Sequence, residues 1–307
     1  MQIPNNSGKA ILSKYYIPTK KEEINNNMKT FNLIDPAKSD FVFKTMAFPD
    51  SQPHIKIDAT SAEGIDKTMP VRILTRVSNA NDLLTALFVK NTLDYWEFEK
   101  IELHVSYLLA ARMDRVMLDG EPFSLKVIAG IINLAGFSKV KIFDPHSEVS
   151  TALIDRSYAV TNHAYVKDAL EDYLLKNKTA AYTLVSPDAG ALKKIHKLAH
   201  FLQVDNVVEC MKERDLKTGA LTNFKTTTES LDDQTCFIID DICDGGGTFA
   251  GTAKMLKEKS AKKVILIVSH GIFSKGIKIE SVDEIYTTDS FRTVEGVNCF
   301  PVSKYLQ

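Results

Sequence analysis

The stretch Ile238-Ile239-Asp240-Asp241-Ile242-Cys243-Asp244-Gly245-Gly246-Gly247-Thr248 sets a run of apolar residues, two adjacent carboxylates, a glycine run and a helix start in direct succession. A short apolar run ahead of a turn reads as a strand buried on both faces, and such strands belong to parallel sheets covered by helices. Consecutive glycines let the chain turn tightly, so that several N–H groups point at one anion. The next helix adds the positive end of its dipole. Such a loop holds phosphate without a lysine. The two acids make sense beside a sugar: Asp240 and Asp241 can accept hydrogen bonds from vicinal ribose hydroxyls, or hold Mg²⁺. A plain strand–turn–helix connection would also use glycines. Two carboxylates immediately before them favour a binding site.

Working outward, strand-like and helix-like segments alternate on both sides of this loop. VRILTR (71–76), IELHVSY (101–107), KVKIFD (139–144), YTLVS (182–186), VDNVVECM (204–211), CFIID (236–240) and KVILIVS (263–269) read as strands. Helices are expected at 81–95, at 122–136 with Pro122 at the start, near 164–176, at 189–202 and at 248–259. The alternation predicts βαβ units. The length predicts two tandem α/β domains, 1–158 (with 1–30 an irregular arm) and 159–307, each a mainly parallel sheet flanked by helices. Ligands in such folds sit at the carboxyl ends of the strands.

Bulk properties exclude several classes. With 44% hydrophobic and 25% charged residues and a net charge of -1, the chain carries no bulk field for nucleic acid or anionic membranes. No apolar run approaches the ~20 residues of a spanning helix. The first residues lack a signal-peptide pattern, and Cys210, Cys236, Cys243 and Cys299 have neither CxxC nor metal spacing. A cytoplasmic protein is expected. His196 and His200 stand four apart on an expected helix, but Lys193, Lys194 and Lys197 crowd it, so a solvated face is preferred to a zinc site.

The loop resembles the phosphoribosyl-diphosphate loop, ordinarily two acids, two spacers and Asp-Thr-Gly-Gly-Thr, which phosphoribosyltransferases share. Four further segments, in the same order, resemble the ribose-phosphate diphosphokinases (PRPP synthetases). Ala111-Arg112-Met113-Asp114-Arg115 is similar to their ARQDR, and Asp144-Pro145-His146 to their Asp-Leu-His. Val185-Ser186-Pro187-Asp188-Ala189-Gly190 is similar to VSPDxGG, and Ser269-His270-Gly271-Ile272-Phe273-Ser274 to THxxFS. The resemblance spans about residues 30–290 and implies transfer of the β,γ-diphosphate of ATP, with Mg²⁺, to the anomeric hydroxyl of a ribose 5-phosphate unit.

Carried over residue by residue, the resemblance assigns Arg112, Met113 and Asp114 to ATP. His146 is implied as a metal ligand, with Asp188 a second, harder one. Lys212 and Arg214, in the place of a Lys-x-Arg pair on a mobile loop, are implied to be catalytic together with His146. Asp240, Asp241, Asp244, Gly245, Gly246, Gly247 and Thr248 are implied to hold the ribose phosphate. Phe48-Pro49-Asp50-Ser51-Gln52 resembles the segment that reaches adenine from a neighbouring subunit, so Phe48, Asp50 and Gln52 imply a shared site and a dimer-based homo-oligomer, extending to a hexamer in the family.

The departures matter as much. Gly245 stands where the family has threonine, which removes a hydroxyl worth about 1.5–3 kcal/mol to a charged oxygen and leaves room beside the 5-phosphate. ADP-ribose, a substituted ribose 5-phosphate, is therefore a second candidate acceptor. Met113 and Gln52 replace a glutamine and a glutamate, the 116–121 stretch is less basic, and the tail after SKYLQ lacks a final helical extension tied to regulation. A regulatory or scaffold relative without activity is the non-enzymatic alternative. A phosphoribosyltransferase would need a base-binding hood, for which no segment offers itself.

Overall fold

The computed structural model describes residues 28–179, 181–214 and 221–307, with the side chains of 213, 214 and 221–223 also outside the description. Its strands are β1 (Lys29–Asn32), β2 (Phe43–Ala47), β3 (Pro53–Ile57), β4 (Val71–Val77), β5 (Ile101–Leu108), β6 (Lys139–Phe143) and β7 (Ser157–Val160) in the first half. The second half holds β8 (Tyr182–Ser186), β9 (Val207–Arg214), β10 (Leu221–Thr226), β11 (Thr235–Cys243), β12 (Lys263–Gly271), β13 (Glu284–Thr288) and β14 (Asn298–Phe300). The helices are α1 (Ala80–Tyr95), α2 (Ser124–Leu134), α3 (Val149–Leu153), α4 (His163–Asn177), α5 (Leu192–Leu202) and α6 (Gly247–Glu258).

Two sheets result. The first has the order β1-β4-β5-β6-β7 and is parallel throughout. The second, β10-β9-β8-β11-β12-β13-β14, is parallel except at its β9–β10 edge. The two-tandem-sheet α/β architecture expected from the alternation is the one observed. All eight residues of β5 are buried, as a central parallel strand covered on both faces requires. α1 starts on Asn79, whose side chain accepts from the Asp82 N–H while Asp82 reaches back, a reciprocal cap that silences two orphan donors. α2 stops where Gly136 turns left-handed at φ 65°.

Some boundaries differ from the sequence expectation. α2 begins at Ser124, so Pro122 lies ahead of the helix. Residue 29, expected within an irregular arm, opens β1, held by pairing with β4. β7 extends to Val160 and pairs with β6, so the first sheet runs past residue 158.

The halves are stitched together at the carboxyl ends of their strands. Ser106 Oγ donates to the Ser290 carbonyl at 2.8 Å, and Arg76 Nε to the Asp289 carbonyl at 2.8 Å. Leu74 and Phe143 of the first sheet share one buried cluster with Tyr165, Tyr286, Val302 and Leu306. Burial of that size, on the order of 1.5–3 kcal/mol per large side chain, fixes how the two strand-end rims face each other.

Candidate active site

Between those rims lies a cavity of about 680 Å³. From the second sheet it is lined by Asp188, Lys212, Asp240, Asp241 and the Asp244–Thr248 turn, and from the first by Arg112, Arg115 and His146. β11 continues through both acids to Cys243, so Asp240 and Asp241 project from the strand itself. Gly246 sits at φ 76° ahead of the first turn of α6, a backbone state that side chains rarely adopt, and a Cβ there would press on Ile279 at 3.2 Å. The turn therefore presents bare amides and the α6 N-terminus to the cavity.

The charged groups are paired across the gap. His146 Nδ1 and Asp241 Oδ2 lie 2.7 Å apart. Hydrogen bonding to Asp241 raises the His146 pKa against the opposing effect of burial. Burial works against the Asp241 charge, yet His146 and Lys194 outweigh it and hold this carboxyl well below the usual range. Its neighbour Asp240 is pushed up, by burial first and by the Asp241 charge second. Adjacent acids with opposed ionisation are what a sugar-diol site needs: one firm acceptor, and one group able to donate. Arg112 Nη1 meets Asp244 Oδ2 at 2.8 Å, joining the first-sheet arginine to the glycine turn.

Lys212, near the end of β9, reaches Asp188 Oδ2 at 2.6 Å and Thr248 Oγ1 at 3.2 Å. Its ammonium thus stands at the mouth of the glycine turn. The backbone of Arg214 belongs to β9, but its side chain lies outside the described residues. Asp188 Oδ1 accepts from the Ala191 N–H at 3.1 Å, which fixes the carboxylate. Among the described residues no cluster of three metal-ligating side chains exists. His146 and Asp188 suit a hard cation brought in with nucleotide phosphates and water, which Mg²⁺ prefers to an all-protein cage.

Other expected residues sit elsewhere. Phe48, Asp50 and Gln52 form the exposed tip of the β2–β3 hairpin, closed by the Phe48 N–H to the Gln52 carbonyl at 2.9 Å, and do not line the cavity. Met113 and Asp114 also lie off its wall, although Arg112 beside them is on it. His196 bonds Glu209 at 2.9 Å on the surface.

Two residues were missed. Arg115 lines the cavity from the same loop as Arg112. Lys194, expected on a solvated helix face, keeps 44% of its side chain exposed, yet its ammonium reaches the Pro145 carbonyl at 3.0 Å, Asp144 Oδ1 at 3.4 Å and Asp241 Oδ2 at 3.8 Å. Lys194 is four residues before the buried Leu198, which sets it at the border of the packed face of α5 with its ammonium able to reach the cavity.

Residues 163–302 match the family model described as phosphoribosyl transferase domain. A ribose-phosphate pyrophosphokinase of Mycoplasmopsis pulmonis is 28% identical over 223 residues, covering 70% of this chain and 67% of the relative. That of Pyrococcus abyssi is 26% identical over 249 residues, covering 80% and 83%. A phosphoribosylpyrophosphate synthetase from Mycobacterium smegmatis superposes with a TM-score of 0.72 over 91% of this chain and 95% of its own, at 17% identity.

The chain is similar to these ribose-phosphate pyrophosphokinases over most of its length and shares the fold of the synthetase. The phosphoribosyl transferase match covers the whole second sheet and so contains the Asp240–Thr248 loop. No helix among the described residues is long and apolar enough to cross a membrane.

Proposed function

We propose that the protein transfers the β,γ-diphosphate of ATP to the anomeric hydroxyl of a ribose 5-phosphate unit, giving a 1-diphosphate sugar and AMP. One observation carries this reading: Lys212 stands between Asp188 and Thr248, where a diphosphate would pass into the phosphate turn. Diphosphoryl transfer has little covalent chemistry for a protein to perform; alignment and neutralisation of charge do the work. Asp241, held ionised, accepts from a ribose hydroxyl. The Gly245–Thr248 amides receive the 5-phosphate. Arg112 and Arg115, whose planar forks fit phosphate oxygens, hold the nucleotide chain. Lys212 exchanges Asp188 for the β-phosphoryl oxygens as charge builds on them. Mg²⁺, bound by His146 and Asp188 with the phosphates, would supply the remaining positive charge.

Adenine is the part left over. The Phe48–Gln52 tip is exposed and lies off the cavity of its own chain, which suits delivery to a second copy in a homo-oligomer. The test of the reaction is AMP formation from ATP and Mg²⁺ with ribose 5-phosphate as acceptor and no base present. AMP together with a diphosphorylated sugar supports it. A phosphoribosyltransferase or an inactive scaffold gives neither.

A second reading concerns the acceptor. The space a side chain at 245 would fill is bordered by the aliphatic stem of Lys275, whose Cδ and Cε lie 3.6 Å from the missing Cβ. A cation there suits a second phosphate on the acceptor's 5-position, as in ADP-ribose. If that acceptor is used, Lys275→Ala lowers kcat/KM for ADP-ribose about tenfold and leaves ribose 5-phosphate unchanged. Equal activity of the variant on both removes the second reading.

A further inference from the structure

We propose that Lys194 is a positioning residue of this site, tying the Asp144–His146 turn of the first sheet to Asp241 on the second and so setting the separation of the two cavity walls. The inference rests on the diphosphate-transfer reading for its kinetic consequence, though not for its geometry.

Lys194 lies in the first turn of α5, where a cation opposes the helix dipole. Its neighbour Lys193 answers that position on the surface, 67% exposed and paired with Glu148 at 2.7 Å. Lys194 answers it differently, by reaching across to a carbonyl and two carboxylates of two different strands. The turn it reaches needs holding, since Asp144 stands at φ 35°, in the left-handed region. One carboxylate oxygen of Asp144, Oδ2, accepts from Ser269 Oγ at 2.5 Å and Asn162 Nδ2 at 2.9 Å, and its carbonyl lies 3.1 Å from His270 Nε2.

Those three contacts approach from the buried side. Oδ1 and the next carbonyl, that of Pro145, are the oxygens that Lys194 holds, and Lys194 lines the cavity. Removing its ammonium leaves the buried anchors in place, so the fold persists. It releases the cavity side of the turn that carries His146. It also leaves Asp144 and Asp241 facing each other without the cation between them. Asp241 then repels Asp144 and His146 drifts from its partner.

The experiment compares Lys194→Met, Lys194→Arg and wild-type protein in two assays. Lys194→Met should lower kcat for AMP formation about 100-fold, the cost of a misplacement on the order of 1 Å, with both KM values within about threefold. Lys194→Arg, which keeps the charge and the reach, should recover most of the loss. Hydrogen exchange should quicken at the amides of residues 144–147 in Lys194→Met alone. Lys194→Gln replaces Met should that variant fail to fold. A kcat within twofold of wild type, or unchanged exchange at 144–147, overturns the proposal. If wild-type protein makes no AMP, the reaction is refuted, while the exchange measurement still decides the role of Lys194.

Discussion

The two sides of the cavity are built in different ways. On the second-sheet side a single strand, turn and helix, β11 to α6, brings Asp240, Asp241, Asp244 and the glycine turn to one place within a short stretch of chain. On the first-sheet side the groups come from separate loops: Arg112 and Arg115 follow β5, His146 follows β6, and the Phe48–Gln52 tip stands apart on its hairpin. In the proposed reaction the small sugar phosphate would be held by a local motif, while the longer nucleotide would be recognised by groups spread over the fold and, in the proposed assembly, over two chains.

The largest expected effect belongs to Lys212, which spans Asp188 and Thr248 on the second-sheet side. Lys212→Ala should lower kcat by about 10²–10³, the scale of removing one preorganised group that stabilises transition-state charge, while the KM for ATP stays within about fivefold. An unchanged kcat would take Lys212 out of the mechanism.

Next comes the support beneath the local motif. Ile238, fully buried in β11 two residues before the acids, should cost about 2–5 kcal/mol as Ile238→Ala, read by denaturant unfolding. A loss below about 1 kcal/mol would mean the strand end is not the rigid base that the sugar side requires.

The distributed side is tested by mixing. Phe48→Ala should raise the KM for ATP about tenfold, with kcat little changed. Separately impaired Phe48→Ala and Lys212→Ala proteins, when mixed and allowed to exchange subunits, should regain activity, because one mixed site has both residues intact. No recovery would return adenine binding to a single chain.

The smallest effect lies in the frame of the second sheet. Asp283 bonds Lys257 of α6 at 2.7 Å, Lys263 of β12 at 2.9 Å and the Val264 N–H at 2.8 Å. Burial raises its pKa, but the lysines and the amide outweigh that and leave it below the ordinary value of 3.8. A depressed carboxyl stabilises the fold above its unfolded pKa and loses that contribution as pH falls through the folded value. Wild type should exceed Asp283→Asn by about 1 kcal/mol near neutral pH, and the gap should close only below about pH 4. A gap independent of pH would contradict this.

The same contrast explains what the sequence made legible. The β11–α6 site could be read from the chain because its geometry is local: apolar run, acids, glycines, helix. Central strands were legible from their apolar runs, as in β5 and β12. Edge elements were not, since β2, β7, β10 and β14 are short or exposed and owe their form to a partner strand. The partners of Lys194 were not legible because nothing nearby in sequence announces the carboxylates it meets, and Asp144 and Asp241 lie 50 and 47 residues away. The gathering of residues 112, 146, 188 and 212 into one cavity came from their resemblance as an ordered set, not from any one of them.

The central claim is that the β- and γ-phosphoryl groups move together. ATP carrying labelled phosphorus at the β position, and separately at the γ position, should be incubated with Mg²⁺, the protein and either ribose 5-phosphate or ADP-ribose, and the sugar product isolated. Both labels on the sugar, with AMP as the unlabelled partner, is the predicted result. A γ label alone would make the protein an ordinary phosphoryl kinase, and no label with either acceptor would contradict the proposed reaction altogether.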